Sequence, residues 1–338
     1  MRTRGLQTVT RLPVHSYIHS MIPVHLLFTA ILKLFLISTA GYLGVRLSIL
    51  NNQTIQALSR FVIYITLPCL IIATLGRVLH PDIIRSMALC AAAALGLNLF
   101  GILLATTVRP LFIKSGKPGS GLFVSLSSIQ NSGYLPIPLI TAILPENLRE
   151  QGLLFTFVYM IVMGIILWTL GVSLVSDRPA SGVSETLRRI FNPPITAILL
   201  GFLFLIPFLK ELFDAIPIVM NTLKLVGETT IPLVLIILGG SFAETKAGFS
   251  RGVNVIYPAA VMKMVVIPAA VVIFTRITSM NHVFAVVLIL QAAMPAAMNH
   301  IVVARKYGGD TTMTSHALLV QYIASMATVP MFLYLGLT

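Results

Sequence analysis

The chain reads as long apolar runs parted by short polar punctuation. A window of about 20 residues, the length that crosses a bilayer as a helix, picks out ten runs: 25–45, 58–76, 84–107, 121–144, 152–174, 193–210, 219–242, 253–275, 282–304 and 314–337. Most connections are short and carry breakers such as Asn51-Asn52, His80-Pro81 and Lys117-Pro118-Gly119. The longest polar stretch, Ser176 to Arg189, divides the chain near its middle. The pattern predicts an all-α integral membrane protein of ten transmembrane helices. Residues 24–175 form a first five-helix unit, 176–190 a cytoplasmic linker, and 191–338 a second five-helix unit. Residues 1–23 read as a basic N-terminal tail, with Met21 as an alternative start. The run that follows the tail is longer than the apolar stretch of a signal peptide, about 7–15 residues.

Two of the runs are interrupted. Ser125-Leu126-Ser127-Ser128-Ile129-Gln130-Asn131-Ser132-Gly133-Tyr134-Leu135-Pro136-Ile137-Pro138 breaks the fourth, and Gln291-Ala292-Ala293-Met294-Pro295-Ala296-Ala297-Met298-Asn299 breaks the ninth. Proline donates no hydrogen bond and its ring clashes with the carbonyl four residues back. Pro136 is therefore expected to free the carbonyl of Ser132, Pro138 that of Tyr134, and Pro295 that of Gln291. Gly133 adds backbone latitude to the first break. Freed backbone groups are tolerated at membrane depth only against protein or a water-lined cavity. Interrupted segments at corresponding positions of two halves point to the binding site of a secondary transporter.

Weak self-similarity supports two halves. Thr66-Leu67-Pro68 matches Thr230-Ile231-Pro232 at an offset of 164, Gln130 matches Gln291 at 161, and Tyr159 and Met163 match Tyr322 and Met326 at 163. An odd number of spans per half makes the second half enter from the opposite face, an inverted repeat. Lys and Arg outside the spans number twelve in the odd connections and five in the even ones, or eight with the three arginines of the tail. Positive charge collects on the cytoplasmic side, so the odd connections are expected there and both termini outside.

Composition agrees with this class: 57% apolar residues and 10% charged, against about 25% charged in soluble domains. The net charge of +13 comes from single basic residues at run ends, which argues against nucleic acid. The two cysteines, Cys69 and Cys90, lie alone within apolar runs. No histidine pair has metal-ligand spacing, so no metal or cofactor is expected beyond Na⁺ or H⁺ as a coupling ion. Tyr307-Gly308-Gly309-Asp310 lacks the partner aspartate an intramembrane protease would need, and no serine stands at motif spacing from a histidine. An enzyme is not expected. A channel or receptor on the same helices is the alternative of a different class.

An ordered set of motifs resembles the auxin efflux carrier family, with the bacterial malonate- and malate-permease-like branch nearest. It comprises Leu43-Gly44-Val45-Arg46, Leu67-Pro68-Cys69-Leu70, Asn131-Ser132-Gly133 before Pro136 and Pro138, and Phe191-Asn192-Pro193-Pro194. It continues with Ile231-Pro232-Leu233, Leu238-Gly239-Gly240, Gln291 to Pro295, and Ala304-Arg305-Lys306-Tyr307-Gly308-Gly309-Asp310. The resemblance implies a bile-acid/sodium symporter-like fold in which the fourth and ninth helices break and cross. It further implies a scaffold of helices one, two, six and seven, which serves as a homodimer contact, and a transport unit of the other six. The substrates it implies are small organic anions, dicarboxylates or auxin-like carboxylates, moved by efflux or by sodium- or proton-coupled uptake across the plasma membrane. Leu135-Pro136 stands where the family's first break carries a second glycine.

At such a crossing, half-helix N-termini favour an anion, and freed carbonyls suit a cation. Asn131 and Gln291 carry both donors and acceptors beside the breaks and are the first candidates for substrate binding, followed by Asn299. Lys263, deep in the eighth run, is a candidate because an ionisable residue there defaults to function. It is expected to attract an anion or to pair with Glu228, itself a candidate coupling carboxylate. Pro68 and Pro232 are expected to kink scaffold helices along the cavity wall. Lys33 is assigned a structural role.

Overall fold

Proline, glycine and asparagine set the helix ends. The computed structural model describes residues 24–114, 119–175, 182–243, 252–278 and 280–337; the N-terminal tail and the first part of the linker lie outside them. Helix α1, Val24–Arg46, ends with Arg46 in its last turn, where a cation suits the carbonyl end of the dipole. After a turn through Ser48 at φ 59°, the Asn51 side chain accepts the Thr54 N–H at 2.8 Å and opens α2, Asn52–Val78. Pro68 follows a π-helical turn over Val62–Thr66. The wider turn lets the ladder pass the missing N–H without ending the helix. The same device recurs at Pro268, after the turn Met262–Val266.

The order continues with α3, Pro81–Leu111, α4, Ser120–Ser128, α5, Pro136–Ile143, and α6, Glu146–Val175. Then come α7, Val183–Ile190, α8, Pro193–Leu205, α9, Pro207–Asp214, and α10, Pro217–Ala243. The last four are α11, Val253–Ile277, α12, His282–Ala293, α13, Asn299–Tyr307, and α14, Thr311–Leu337. Among the described residues, α2, α3, α6, α10, α11 and α14 are each long and apolar enough to cross a membrane, and α7 with α8 forms a pair bent by 66°. Large apolar side chains face outward along these helices, Leu103 at 67% and Ile273 at 62% exposure among them. A surface of that kind is solvated by lipid rather than water.

The helices sort into two packed groups. The second part of α10 lies along α1, its first part lies on Leu67–Val78, and α8 packs on that same stretch of α2. In the other group α3 packs on α4 and α6, α12 on α6 and α14, and α11 on α4 and α14. Contacts from α1 to α5 and from Leu67–Val78 to α6 join the groups.

One expected boundary is corrected. The sixth run does not continue as helix to residue 210: α8 tightens into a 3-10 turn at Phe202–Leu205, and Pro207 starts a new helix.

Candidate functional site

The fourth and ninth runs both break where amides and prolines interrupt them, and the breaks meet. Ile129 leaves the helix in extended conformation, and Pro136 and Pro138 fall in the first turn of α5, where no N–H is needed. Between them the chain runs antiparallel to the second break: Asn131 N–H donates to the Pro295 carbonyl at 2.8 Å and Ala297 N–H to the Ile129 carbonyl at 3.1 Å. The bridge centres on Gln130 and Ala296. Each break thus supplies partners for backbone groups that the other leaves without a helix.

Side chains complete this satisfaction. Gln321, buried on α14, accepts the Ala296 N–H at 2.8 Å through Oε1 and donates Nε2 to the Leu126 carbonyl at 3.1 Å. The Ser132 carbonyl accepts from Gln291 Nε2 at 3.1 Å, so the group expected to be freed by Pro136 is taken up by Gln291. The Gln291 carbonyl, which Pro295 leaves without its helical partner, accepts the Met294 N–H at 3.3 Å. The carbonyl that needs a distant donor is that of Ala292, which receives Lys263 Nζ at 3.2 Å. His300 closes the second break: Nδ1 meets the Ala297 carbonyl at 2.7 Å, so it carries the proton, and Nε2 accepts from Ser125 Oγ at 2.9 Å.

The first break is held by two tyrosines. Asn131 Oδ1 accepts the Tyr134 N–H at 3.0 Å, with the Gly133 N–H at 3.3 Å, while Nδ2 donates to the Tyr322 hydroxyl at 2.6 Å. Gln130 Nε2 donates to the Tyr159 hydroxyl, which also receives Asn98 Nδ2 at 3.0 Å. Tyr159 and Tyr322 were visible only as a repeat-related pair, and Gln321 and His300 carried no sequence signal for this role.

A cavity of about 320 Å³ opens beside the bridge. Its wall includes Gln130, Asn131, Gly133 and Asn299 as well as Met160, Trp168 and Ile195. A second cavity of about 560 Å³ lies next to it, the two sharing Tyr134, Met298 and Asn299 as walls. Of the candidate binding residues, Asn131 and Asn299 reach the cavity, whereas Gln291 and Lys263 stand behind it, fully buried. Asn299 does not continue the helix of Gln291; it opens α13 beyond the break. Glu228 is not joined to Lys263: it is exposed and lies 3.7 Å from Lys224 on its own helix. Pro68 and Pro232 are absent from the wall, to which their neighbours Leu67 and Thr230 contribute. Among the described residues no group of His, Cys, Asp and Glu is placed to hold a metal.

Two interrupted helices joined at their breaks beside a cavity, among membrane-length helices, are the architecture of a carrier. The family model described as membrane transport protein matches residues 26–333. An uncharacterised transporter of Methanocaldococcus jannaschii is 22% identical over 89% of this chain and 96% of its own length. Protein PIN-LIKES 1 of Arabidopsis thaliana is 23% identical over 90% of this chain and 76% of its own. The protein is a multi-pass membrane transporter and not an enzyme, and it belongs to the membrane transport protein family, the auxin efflux carriers whose motifs it bears.

Proposed function

We propose that this protein exports a small organic monocarboxylate by alternating access, binding it between the paired breaks. One observation carries the reading: the cavity at the breaks is lined by amides and apolar side chains, with no ionised side chain in its wall. Both α5 and α13 begin at the breaks, so two positive dipole ends lie toward one carboxylate, with the Asn299 amide and the second Nδ2 proton of Asn131, whose first goes to Tyr322, as its donors. A second carboxylate would meet Met160, Trp168 and Ile195, and burying it unpaired costs several kcal/mol. The wall therefore favours an apolar or aromatic body over malonate or malate. Na⁺- or H⁺-coupled uptake is the competing direction, and the buried, unpartnered Gln291 Oε1 is the acceptor that favours a cation near the break.

The ten-span inverted repeat belongs to the same reading. In it α1, α2, α8 and α10 form the scaffold, and α3 to α6 with α11 to α14 form the moving unit. The separate packing of the two groups supports this division. The cavities open among Asn52, Gln56, Asn192 and Thr311, beside the odd connections. With those connections cytoplasmic, the conformation is inward-open, in a plasma membrane.

Uptake of labelled indole-acetate, malonate and malate into proteoliposomes tests the proposal, with Asn131→Ala and Asn299→Ala as variants. Saturable flux of the aromatic acid, reduced at least about tenfold in both variants while insertion persists, is the expected result. Unchanged flux in both variants would remove the breaks as the site. Single-channel conductance would replace the carrier by a channel.

A further inference from the structure

The motif Arg305-Lys306 ends α13, and the helix sends its two cations to different places. Lys306 turns to the linker: its Nζ lies 3.4 Å from Glu185 and 5.6 Å from the centre of the Tyr307 ring. Arg305 turns to the larger cavity, whose wall α13 also meets through Asn299 and Val302. It is exposed and has no carboxylate or hydrogen-bond partner among the described residues. Among the described residues it is also the one permanently charged side chain in that cavity's wall, which otherwise offers His316, apolar side chains, and amides and hydroxyls such as Gln56, Thr311 and Ser315. It stands six positions after Asn299 on α13, a rise of about 9 Å.

We infer that Arg305 is the capture residue of the vestibule: it draws a carboxylate into the larger cavity and hands it along α13 to Asn299 and Asn131. This rests on the anion-carrier reading above. A guanidinium on a low-dielectric wall focuses its field along the opening and raises the local concentration of anions. Its fork pairs a carboxylate through two donors. The inner cavity has no cation, so the anion is not trapped: strong attraction at the entrance and neutral amides at the breaks allow entry and release. A purely topological role, a basic residue marking the cytoplasmic side, is served equally by Lys306 and predicts no effect on substrate affinity.

Uptake kinetics of labelled indole-acetate in proteoliposomes separate the two. Arg305→Gln is expected to raise KM by about tenfold with the maximal rate retained, as loss of attraction to both ground and transition states requires. Arg305→Lys recovers most of the affinity. Lys306→Gln, an equal change of charge on the other face, leaves KM within about twofold. Raising salt from about 20 to 300 mM should raise KM in the wild type and much less in Arg305→Gln. A wild-type KM indifferent to salt, an unchanged KM in Arg305→Gln, or an equal rise in Lys306→Gln would each overturn the inference while leaving carriage intact. A wild type that moves no carboxylate would overturn the carrier reading and this inference with it.

Discussion

Thr230 Oγ1 donates a hydrogen bond to Thr66 Oγ1 at 2.9 Å across the α2–α10 contact, and the two residues are 164 apart in sequence. That is the offset at which Thr66-Leu67-Pro68 matches Thr230-Ile231-Pro232, close to the 161 and 163 of the other matches, so each threonine meets its own counterpart. A residue touches its counterpart where a two-fold axis passes between them, as in an isologous contact. The pair is thus a point of support for the proposed inverted repeat. Interhelical bonds of this kind in membranes average about 0.6 kcal/mol and reach about 1.7. A double-mutant cycle of Thr66→Val and Thr230→Val, followed by reversible unfolding in detergent, should give a coupling in that range. A coupling indistinguishable from zero would leave the contact incidental.

Gln321 and Gln291 make opposite predictions despite being the same side chain. Gln321 satisfies one backbone donor and one backbone acceptor, each from a different break. Gln321→Leu would strand both in the interior, at about 1–3 kcal/mol for each unsatisfied group. Gln291 makes one bond, to the Ser132 carbonyl, and keeps its own oxygen unpartnered, so Gln291→Leu strands one acceptor, on a half-buried residue of the cavity wall, while removing a buried orphan. Thermal unfolding should therefore show Gln321→Leu as clearly the more destabilised of the two. The reverse order would mean that the breaks are not held together through α14.

This contrast also marks how far the sequence was readable. Hydropathy and proline marked the long apolar helices and both breaks, because bilayer thickness and the missing proline N–H act locally. Asn131 and Asn299 were accessible as polar residues beside breaks. What stayed hidden was the register between the breaks, on which depend the choice of Ala292 as the orphan carbonyl and of Lys263 as its donor. Gln321 and His300 are likewise ordinary polar residues until the chain folds back on itself. Glu228 stood out as a carboxylate in an apolar run, yet its face of α10 is open. The linker helix was legible in principle: Val183, Leu187 and Ile190 recur at helical spacing, though the charged residues between them mask it.

Helix α7 is tied to the end of α13 through one carboxylate. Glu185 meets Arg189 on its own helix and Lys306 across the gap, and the Arg189 guanidinium lies 4.4 Å from the centre of the Tyr307 ring. The hydrogen bond from Arg189 foremost, then Lys306, holds the Glu185 carboxyl below its ordinary value. A depressed carboxylate stabilises the folded contact above its unfolded pKa and loses that contribution as pH falls through the lowered folded value. The tie should hold at neutral and mildly acid pH and release only below the usual carboxylate range. A spin label at Leu187 should be immobile at about pH 7, mobile in strong acid, and mobile at neutral pH in Glu185→Gln. Immobility in the variant would show that packing alone seats α7.

The motif Leu238-Gly239-Gly240 finds its reason in how closely α10 approaches α1. A methyl group on Gly239 would overlap the carbonyl of Ser38, and one on Gly41 would overlap the carbonyl of Ile236. Both obstacles are backbone, so no rotamer change relieves them, and the helices must separate along their length. Such close approach through small residues is how membrane helices gain packing energy without a hydrophobic drive. Gly239→Ala should therefore destabilise by at least about 1–3 kcal/mol, the range for overpacking. Gly96 is the control: it lies within α3, and an added methyl meets nothing within 4 Å. There the helix propensity alone acts, and Gly96→Ala should gain about 0.8–1.0 kcal/mol. Unfolding both variants under one set of conditions decides the matter. If Gly239→Ala proved as stable as the wild type, α1 and α10 could not pack as tightly as the structure has them, and the proposed scaffold would lose its central contact.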